Sequence, residues 1–183
     1  QFVEGAVELT KNYVVGNPLD PETTIGPMAQ ARFADFIREQ KAEATRKGAT
    51  AHVNMKVDLD KPGSPYMAPE IYTGADHQMS LMREESFGPV VGIMKVRGDE
   101  DAIALMNDSP YGLTASIWTQ DIEHAAAIGD RVDTGTVFMN RCDYLDPALV
   151  WTGVKDTGKG ASLSVLGIQG LTRPKSYHLK IIS

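Results

Sequence analysis

The sequence has 183 residues, of which 42% are hydrophobic and 23% are charged, and this length suffices for one globular core. A net charge of -6 argues against a nucleic-acid partner, because binding phosphates requires a basic face. No apolar run is long enough to span a bilayer, the start lacks a signal-peptide pattern and the single cysteine cannot form an internal disulfide, so we expect no membrane association and a cytoplasmic location.

The first half of the chain is predicted to contain two helices followed by extended segments. Apolar residues from Phe2 onward have helical spacing with no capping residue ahead, so we expect the sequence to have been cut from a larger protein. A second helix is predicted over residues 28–47 and is expected to stop at Gly48. Residues 50–54 are predicted as a short strand and residues 67–72 as an extended segment.

The second half alternates between strand and helix patterns. Strands are predicted over residues 90–96, 113–118 and 136–139, and helices over residues 99–106 and 122–132. Asp99 is placed where a helix start favours a side-chain acceptor. Strands that alternate with helices of about ten residues predict an α/β fold with a mainly parallel sheet and helices on both faces.

The segment Ser176–Ile182 also has strand character. Its residues Tyr177, Leu179 and Ile181 share one face of such a strand. The unpaired backbone groups could pair with another chain, or the segment could be an edge strand of its own sheet. The pattern alone leaves both possibilities open.

The loop before the predicted strand at residue 90 contains two adjacent carboxylates, an aromatic ring and a glycine. An ionised Glu85 could accept hydrogen bonds from both hydroxyls of a sugar diol, and Phe87 could pack flat against a ring. Gly88 would allow close approach of a ligand or of another backbone. The alternative is that Glu84 and Glu85 are solvated loop charges and that Phe87 anchors the core.

Glu84-Glu85-Ser86-Phe87-Gly88-Pro89-Val90 resembles the E-E-x-F-G-P-V signature of the NAD(P)-dependent aldehyde dehydrogenase superfamily. Further segments resemble other motifs of that family in the same order: Val15–Pro27, Asn107–Leu113, Gly135–Asn140 and Gly153–Gly160. The resemblance implies the C-terminal part of a catalytic domain over residues 1–172 and a C-terminal oligomerisation strand over residues 173–183.

The same resemblance implies a parent enzyme that oxidises an aldehyde to a carboxylic acid with NAD or NADP through a cysteine thiohemiacetal. It implies that Glu85 accepts hydrogen bonds from the nicotinamide ribose and that Phe87 packs beside it. Asn140 would close a strand near the site, and the terminal strand would form a homo-oligomer.

No catalytic residue and no metal ligand are expected within this chain. Cys142 is a lone cysteine, and in the family the nucleophilic cysteine precedes the segment that Phe2 and its neighbours resemble. The resemblance therefore places the nucleophile upstream of Gln1 and predicts that the isolated chain is inactive. The histidines are too far apart for a metal-binding motif: His52, His77, His124 and His178.

The chain also departs from the family's pattern. Val150-Trp151-Thr152 stands in place of P-F-G, Ala161-Ser162 stands in place of R-E, and the loop over residues 141–147 is unusually polar. We therefore expect a polar or unusual aldehyde as the substrate. Two other functions stay open: a non-catalytic oligomerisation scaffold, and a phosphate-binding loop over Gly153–Gly160. The second lacks the Ser or Thr hydroxyl that a phosphate-binding loop requires after Lys159.

Overall fold

The computed structural model describes residues 1–142 and 144–182 and divides into two compact units, Gln1–Lys95 and Val96–Ser183. Asp143 of the polar loop and Ser183 at the end of the predicted terminal strand lie outside the described residues. The predicted division at residue 172 stays a prediction.

The first unit combines three helices with a three-stranded sheet. Its elements are α1 (Phe2–Thr10), α2 (Ala31–Arg46), β1 (Thr50–Ala51), β2 (Glu70–Thr73), α3 (Ser80–Arg83) and β3 (Val90–Ile93). The central strand β2 runs antiparallel to β1 and parallel to β3. The loop that contains Glu85 and Phe87 connects α3 to β3.

Helix α2 supplies much of the core of this unit. Every third or fourth residue on one face is buried: Ala34, Ile37, Gln40 and Ala44. Ile37 packs in one apolar cluster with Met67, and Ala44 packs in a second cluster with Tyr72 of β2. Three of the four buried residues are apolar, so Gln40 is the exception on this face.

The predicted bounds of α2 are partly confirmed. The helix begins at Ala31 and not at residue 28, because the backbone of its N-cap Gln30 is extended, with φ −148° and ψ 146°. The backbone N–H of Met28 donates to the carbonyl oxygen of Pro65 at 2.8 Å. The predicted stop is confirmed: Gly48 follows the C-cap Lys47 with a φ of 99°, a conformation that glycine adopts without steric cost.

The strand predicted over residues 50–54 is shorter than expected, because the side chain of Glu70 binds the backbone of residues 52–54. The buried Glu70 carboxylate accepts backbone N–H bonds from His52 at 3.0 Å, Val53 at 2.7 Å and Asn54 at 3.0 Å. These donors therefore bind a side chain of β2 and not only the carbonyls of a neighbouring strand. The three bonds also compensate the buried negative charge.

The second unit contains a strand–helix–strand unit and several short pairs. Its elements are α4 (Asp99–Asn107), β4 (Tyr111–Gly112), β5 (Thr114–Ile117), α5 (Ile122–Gly129), β6 (Thr136–Met139), β7 (Trp151–Thr152), β8 (Val154–Lys155), β9 (Ala161–Ser162) and α6 (Ser164–Gly170). β5 and β6 are parallel, whereas the β4–β8 and β7–β9 pairs are antiparallel. The α/β fold class is confirmed, and the parallel pairs are β2–β3 and β5–β6.

Two predictions about this unit need correction or qualification. Asp99 does not cap α4: the N-cap is Gly98, and the Asp99 carboxylate lies 3.0 Å from Nε2 of His124. No strand forms among the described residues 173–182, where Tyr177, Leu179 and Ile181 are exposed. Pairing of this segment with another chain stays a prediction, since a strand of this kind requires a partner for its backbone groups.

Candidate functional site

Glu85 and Phe87 project into the same groove of the first unit. Both side chains are exposed, and Phe87 retains 75% of its accessible surface, so the alternative in which it anchors the core is wrong. The groove has a volume of about 780 Å³ and is also lined by residues around the start of α2: Met28, Ala29, Arg32, Phe33, Phe36 and Ile37. One carboxylate thus faces a mainly apolar and aromatic surface.

The residues of α2 that line this groove were not predicted as site residues. Phe33 and Phe36 are half-exposed, and the guanidinium carbon of Arg32 lies 5.0 Å from the centroid of the Phe33 ring. The sequence shows two aromatic residues, Phe33 and Phe36, in an amphipathic helix, but this pattern indicates core packing as readily as an exposed binding surface. Their position opposite Glu85 depends on how the loop folds back onto α2.

Helix α2 fixes that loop through polar contacts one turn apart. Gln40, which is only 2% exposed, accepts a hydrogen bond from the Ser86 hydroxyl at 2.6 Å and donates to the Ser80 carbonyl oxygen at 3.4 Å. Ser86 lies directly between Glu85 and Phe87. Gln40 therefore positions the two predicted site residues from beneath.

Glu43, one turn further along α2, holds the start of α3. Its Oε2 accepts the backbone N–H of Ser80 at 2.8 Å and also the Ser80 hydroxyl, while its Oε1 lies 2.6 Å from Nζ of Lys47. The hydrogen bonds from Lys47 and Ser80 lower the pKa of Glu43 from 4.5 to about 2. The carboxylate is therefore ionised at neutral pH and serves as an acceptor for the first residue of α3.

Gly88 allows the end of the loop to pack closely on α2. A Cβ atom at this position would lie 2.3 Å from Cδ1 of Ile37 and 3.1 Å from Cε of Met28. We expected a ligand or another backbone to approach Gly88, whereas the close neighbour is a buried side chain. Ile37, Gln40 and Glu43 thus form a strip along α2 that contacts Gly88, Ser86 and Ser80 in turn.

Asn140 joins the ends of the parallel strands β5 and β6. It has a φ of 55°, and its side-chain amide accepts the Thr119 N–H at 3.0 Å and donates to the Thr119 carbonyl oxygen at 2.7 Å. Asparagine tolerates this left-handed conformation better than most residues. Asn140 was expected to close a strand near the site. Its two bonds to Thr119 join the end of β6 to the segment after β5, just before the loop over residues 141–147.

Cys142 and the glycine-rich segment show no arrangement suited to catalysis or phosphate binding. Cys142 is exposed, and no hydrogen bond among the described residues connects it to a base. Gly153–Gly160 includes β8 and leads into β9 without a helix at its end, and Thr157 Oγ1 accepts the Gly112 N–H at 2.8 Å. Lys155 donates to the Asn107 carbonyl oxygen at 2.8 Å. This segment is a turn between strands and does not have the strand–loop–helix geometry of a phosphate-binding loop.

No three His, Cys, Asp or Glu side chains within residues 1–142 and 144–182 are grouped so that they could hold a metal ion. No helix in the same ranges has the length and apolar character needed to cross a membrane.

The aldehyde dehydrogenase family model matches residues 1–177 of the chain. An aldehyde dehydrogenase of Paenarthrobacter nicotinovorans is 36% identical over 175 residues, which cover 96% of this chain and 37% of that protein. The chain therefore spans little more than a third of the length of this relative.

Solved structures show the same similarity. Succinic semialdehyde dehydrogenase from Streptococcus pyogenes, determined with NADP+, has a TM-score of 0.82 and 36% identity to this chain. The match covers 91% of this chain and 36% of that protein. Betaine aldehyde dehydrogenase from Staphylococcus aureus, determined with NAD+, has a TM-score of 0.82 and 28% identity to this chain. The match covers 92% of this chain and 34% of that protein.

Proposed function

The chain belongs to the aldehyde dehydrogenase family, and on that basis we propose that it forms part of the cofactor site of an enzyme that oxidises an aldehyde to a carboxylic acid. The cofactor is NAD+ or NADP+, which would accept a hydride from the substrate when bound. The similar structures from Streptococcus pyogenes and Staphylococcus aureus contain NADP+ and NAD+, respectively.

The groove that contains Glu85 and Phe87 fits the nicotinamide ribose half of such a cofactor. The exposed Glu85 carboxylate is an acceptor for the two ribose hydroxyls, and the exposed Phe87 ring offers a flat surface for packing. The groove, at about 780 Å³, lies within the range of pockets that hold small molecules. This joint exposure of Glu85 and Phe87 in one groove is the observation that supports the proposal most strongly.

Orientation of the cofactor is the contribution that we assign to this chain. A protein accelerates hydride transfer chiefly by holding the reactive carbon of the cofactor at the correct distance and angle from the substrate. Gln40 holds the Glu85–Phe87 loop against α2, and Glu43 holds the start of α3, which leads into that loop, so the ribose contacts are supported by a helix and are not left on a free loop.

The chain by itself is proposed to be inactive towards aldehydes. The family reaction uses a cysteine thiolate that attacks the carbonyl and donors that stabilise the resulting oxyanion. Among the described residues, no base is hydrogen-bonded to Cys142. Cys142 is therefore not assigned as that nucleophile. Aldehyde-dependent NADH formation by the purified 183-residue chain would contradict this proposal.

Ligand-observed NMR tests the cofactor assignment without requiring turnover. Saturation transferred from the 183-residue chain to NAD+ should be strongest on the nicotinamide and its ribose, and Glu85→Ala should weaken the effect several-fold. Glu84→Ala is the matched control, since Glu84 is an exposed neighbour that does not line the groove. Equal effects of the two substitutions, or no transfer at all, would count against the assignment.

A second candidate is an oligomerisation module without chemistry. The observation in its favour is the exposure of Tyr177, Leu179 and Ile181, which would share one face of the segment if it paired with a partner strand in a homo-oligomer. Sedimentation of the chain with and without residues 173–183 tests this pairing. An oligomer that needs this segment and binds no NAD+ would favour the module over the dehydrogenase.

A further inference from the structure

Two side chains of opposite charge line the groove of the first unit without forming an ion pair with each other. Glu85 is one of them, and Arg32 in the first turn of α2 is the other. We propose that Arg32 binds the phosphate next to the nicotinamide ribose, so that the groove holds the whole nicotinamide mononucleotide half of the cofactor. This inference rests on the proposed dehydrogenase function and adds a phosphate contact to the ribose contacts of the same site.

The guanidinium of Arg32 has no carboxylate partner among the described residues. Asp35, the acidic residue three positions along α2, is bound elsewhere: its Oδ1 accepts Nη1 of Arg38 at 2.7 Å and the Gly63 N–H at 3.0 Å. Arg32 is also exposed, so its charge is open to a ligand. A guanidinium in this state favours an anionic group of the ligand, because hydrogen bonds between ionised groups are the strongest ones available to it.

The ring of Phe33 restricts the position of the Arg32 guanidinium. Its central carbon lies 5.0 Å from the ring centroid, which is the geometry of a cation–π contact. A guanidinium placed over a ring keeps its peripheral N–H groups for a bidentate contact, and a phosphate matches that contact in geometry. A side chain that is already held in place loses less conformational entropy when the ligand binds.

The two charges of the groove match the two polar ends of a ribose phosphate. The ribose carries two hydroxyls that can donate to the Glu85 carboxylate, and its 5′-carbon carries the phosphate that is assigned to Arg32. The other described residues that line the groove are uncharged: Met28, Ala29, Phe33, Phe36, Ile37 and Phe87. Each charged side chain of the groove therefore has its own group on the ligand.

A small zwitterion is the alternative ligand for two opposite charges. Its cation would lie at Glu85 and its anion at Arg32. The groove, at about 780 Å³, is larger than such a molecule requires, and its aromatic residues Phe33, Phe36 and Phe87 offer more surface than a small zwitterion can cover. The size and the aromatic walls therefore favour the mononucleotide. Phosphoethanolamine represents the zwitterion in the test below.

The experiment compares nicotinamide mononucleotide with nicotinamide riboside, which lacks only the phosphate. Saturation-transfer titrations measure the dissociation constant of each ligand from the 183-residue chain, and the ³¹P resonance of the mononucleotide reports on its phosphate. We expect the mononucleotide to bind about tenfold more tightly than the riboside, because hydrogen bonds to a charged group contribute that much. Its ³¹P resonance should shift on binding.

Variants assign the preference for the mononucleotide to Arg32. Arg32→Gln removes the charge at similar length and should reduce the preference to less than about twofold and abolish the ³¹P shift, whereas Arg32→Lys should keep part of both. Arg46→Gln is the matched control and should leave the preference unchanged, because Arg46 is an exposed arginine near the other end of α2 that does not line the groove. Circular dichroism shows whether each variant keeps its fold, and the lysine variant provides the test if the glutamine variant unfolds.

Three outcomes would overturn the proposal: equal binding of mononucleotide and riboside, an unchanged preference in Arg32→Gln, or phosphoethanolamine that binds as tightly as the mononucleotide. Glu85→Ala separates this inference from the proposed function, since it should weaken both nicotinamide ligands alike and leave their ratio unchanged. Riboside binding that depends on Glu85, without a preference for the mononucleotide, would refute only the phosphate contact. Binding of neither ligand would refute the ribose assignment as well.

Discussion

Removal of the Gln40–Ser86 hydrogen bond should destabilise the first unit and loosen the groove. Gln40→Ala leaves the Ser86 hydroxyl without the acceptor that it has at 2.6 Å, whereas the Ser80 carbonyl oxygen loses a bond of 3.4 Å and keeps the Glu84 N–H at 2.8 Å. Gln40 is 2% exposed, so water cannot replace it without entering the core. We expect a loss of about 1–3 kcal/mol in the free energy of unfolding, since a buried group without a partner costs that much.

A double-mutant cycle isolates the bond itself. Urea unfolding of Gln40→Ala, Ser86→Ala and the double variant should give a coupling energy of about 0.5–1.5 kcal/mol, because a net hydrogen bond contributes that much. Glu39→Ala, at the preceding and exposed position of α2, is a control for helix effects. Additivity within about 0.3 kcal/mol, with unchanged NAD+ binding in every variant, would refute the positioning role of Gln40.

Three further substitutions test other parts of the account by urea unfolding. Gly88→Ala places a Cβ 2.3 Å from Cδ1 of Ile37 and should cost about 1–3 kcal/mol; a neutral result would mean that α2 can move away. Because the pKa of Glu43 falls from 4.5 to about 2 in the folded state, its carboxylate stabilises the fold above pH 4.5, and the advantage over Glu43→Gln should fade as the pH drops towards 2. A constant difference across that range would contradict the assigned cause. Asn140→Ala should cost about 1–2 kcal/mol, because it loses two bonds to Thr119 and places a less tolerant residue at a φ of 55°; Asn140→Asp, which keeps the acceptor, should cost less.

The features that the sequence predicted well depend on local pattern. The parallel pair β5–β6 and the intervening α5 follow from alternating apolar runs and helical spacing, and the predicted bounds of β6 match the structure. Gly48 as the stop of α2 follows from the freedom of glycine at positive φ. The positions of Glu85 and Phe87 on an exposed loop follow from the turn residues that surround them.

The features that the sequence could not supply depend on contacts between distant segments. Gln40 looks like a surface residue of α2, because glutamine is mostly exposed, and only the fold brings Ser86 against it. Glu70 lies within a strand, and the bonds that its carboxylate accepts from the backbone N–H groups of residues 52–54 could not be predicted from strand periodicity. Asp99 pairs with His124 across 25 positions of sequence, so its local preference for capping a helix was overridden.

Steady-state kinetics of Glu85→Gln in the complete native enzyme test whether Glu85 binds the nicotinamide ribose. The amide of glutamine offers one acceptor oxygen in place of two, so we predict a rise of about tenfold in KM for NAD+ or NADP+ together with a lower kcat. A [1-²H]aldehyde should then give a larger isotope effect on kcat, because a poorly oriented cofactor slows hydride transfer. Unchanged kcat, KM and isotope effect, with Glu84→Gln behaving identically, would contradict the assignment of Glu85 to the nicotinamide ribose.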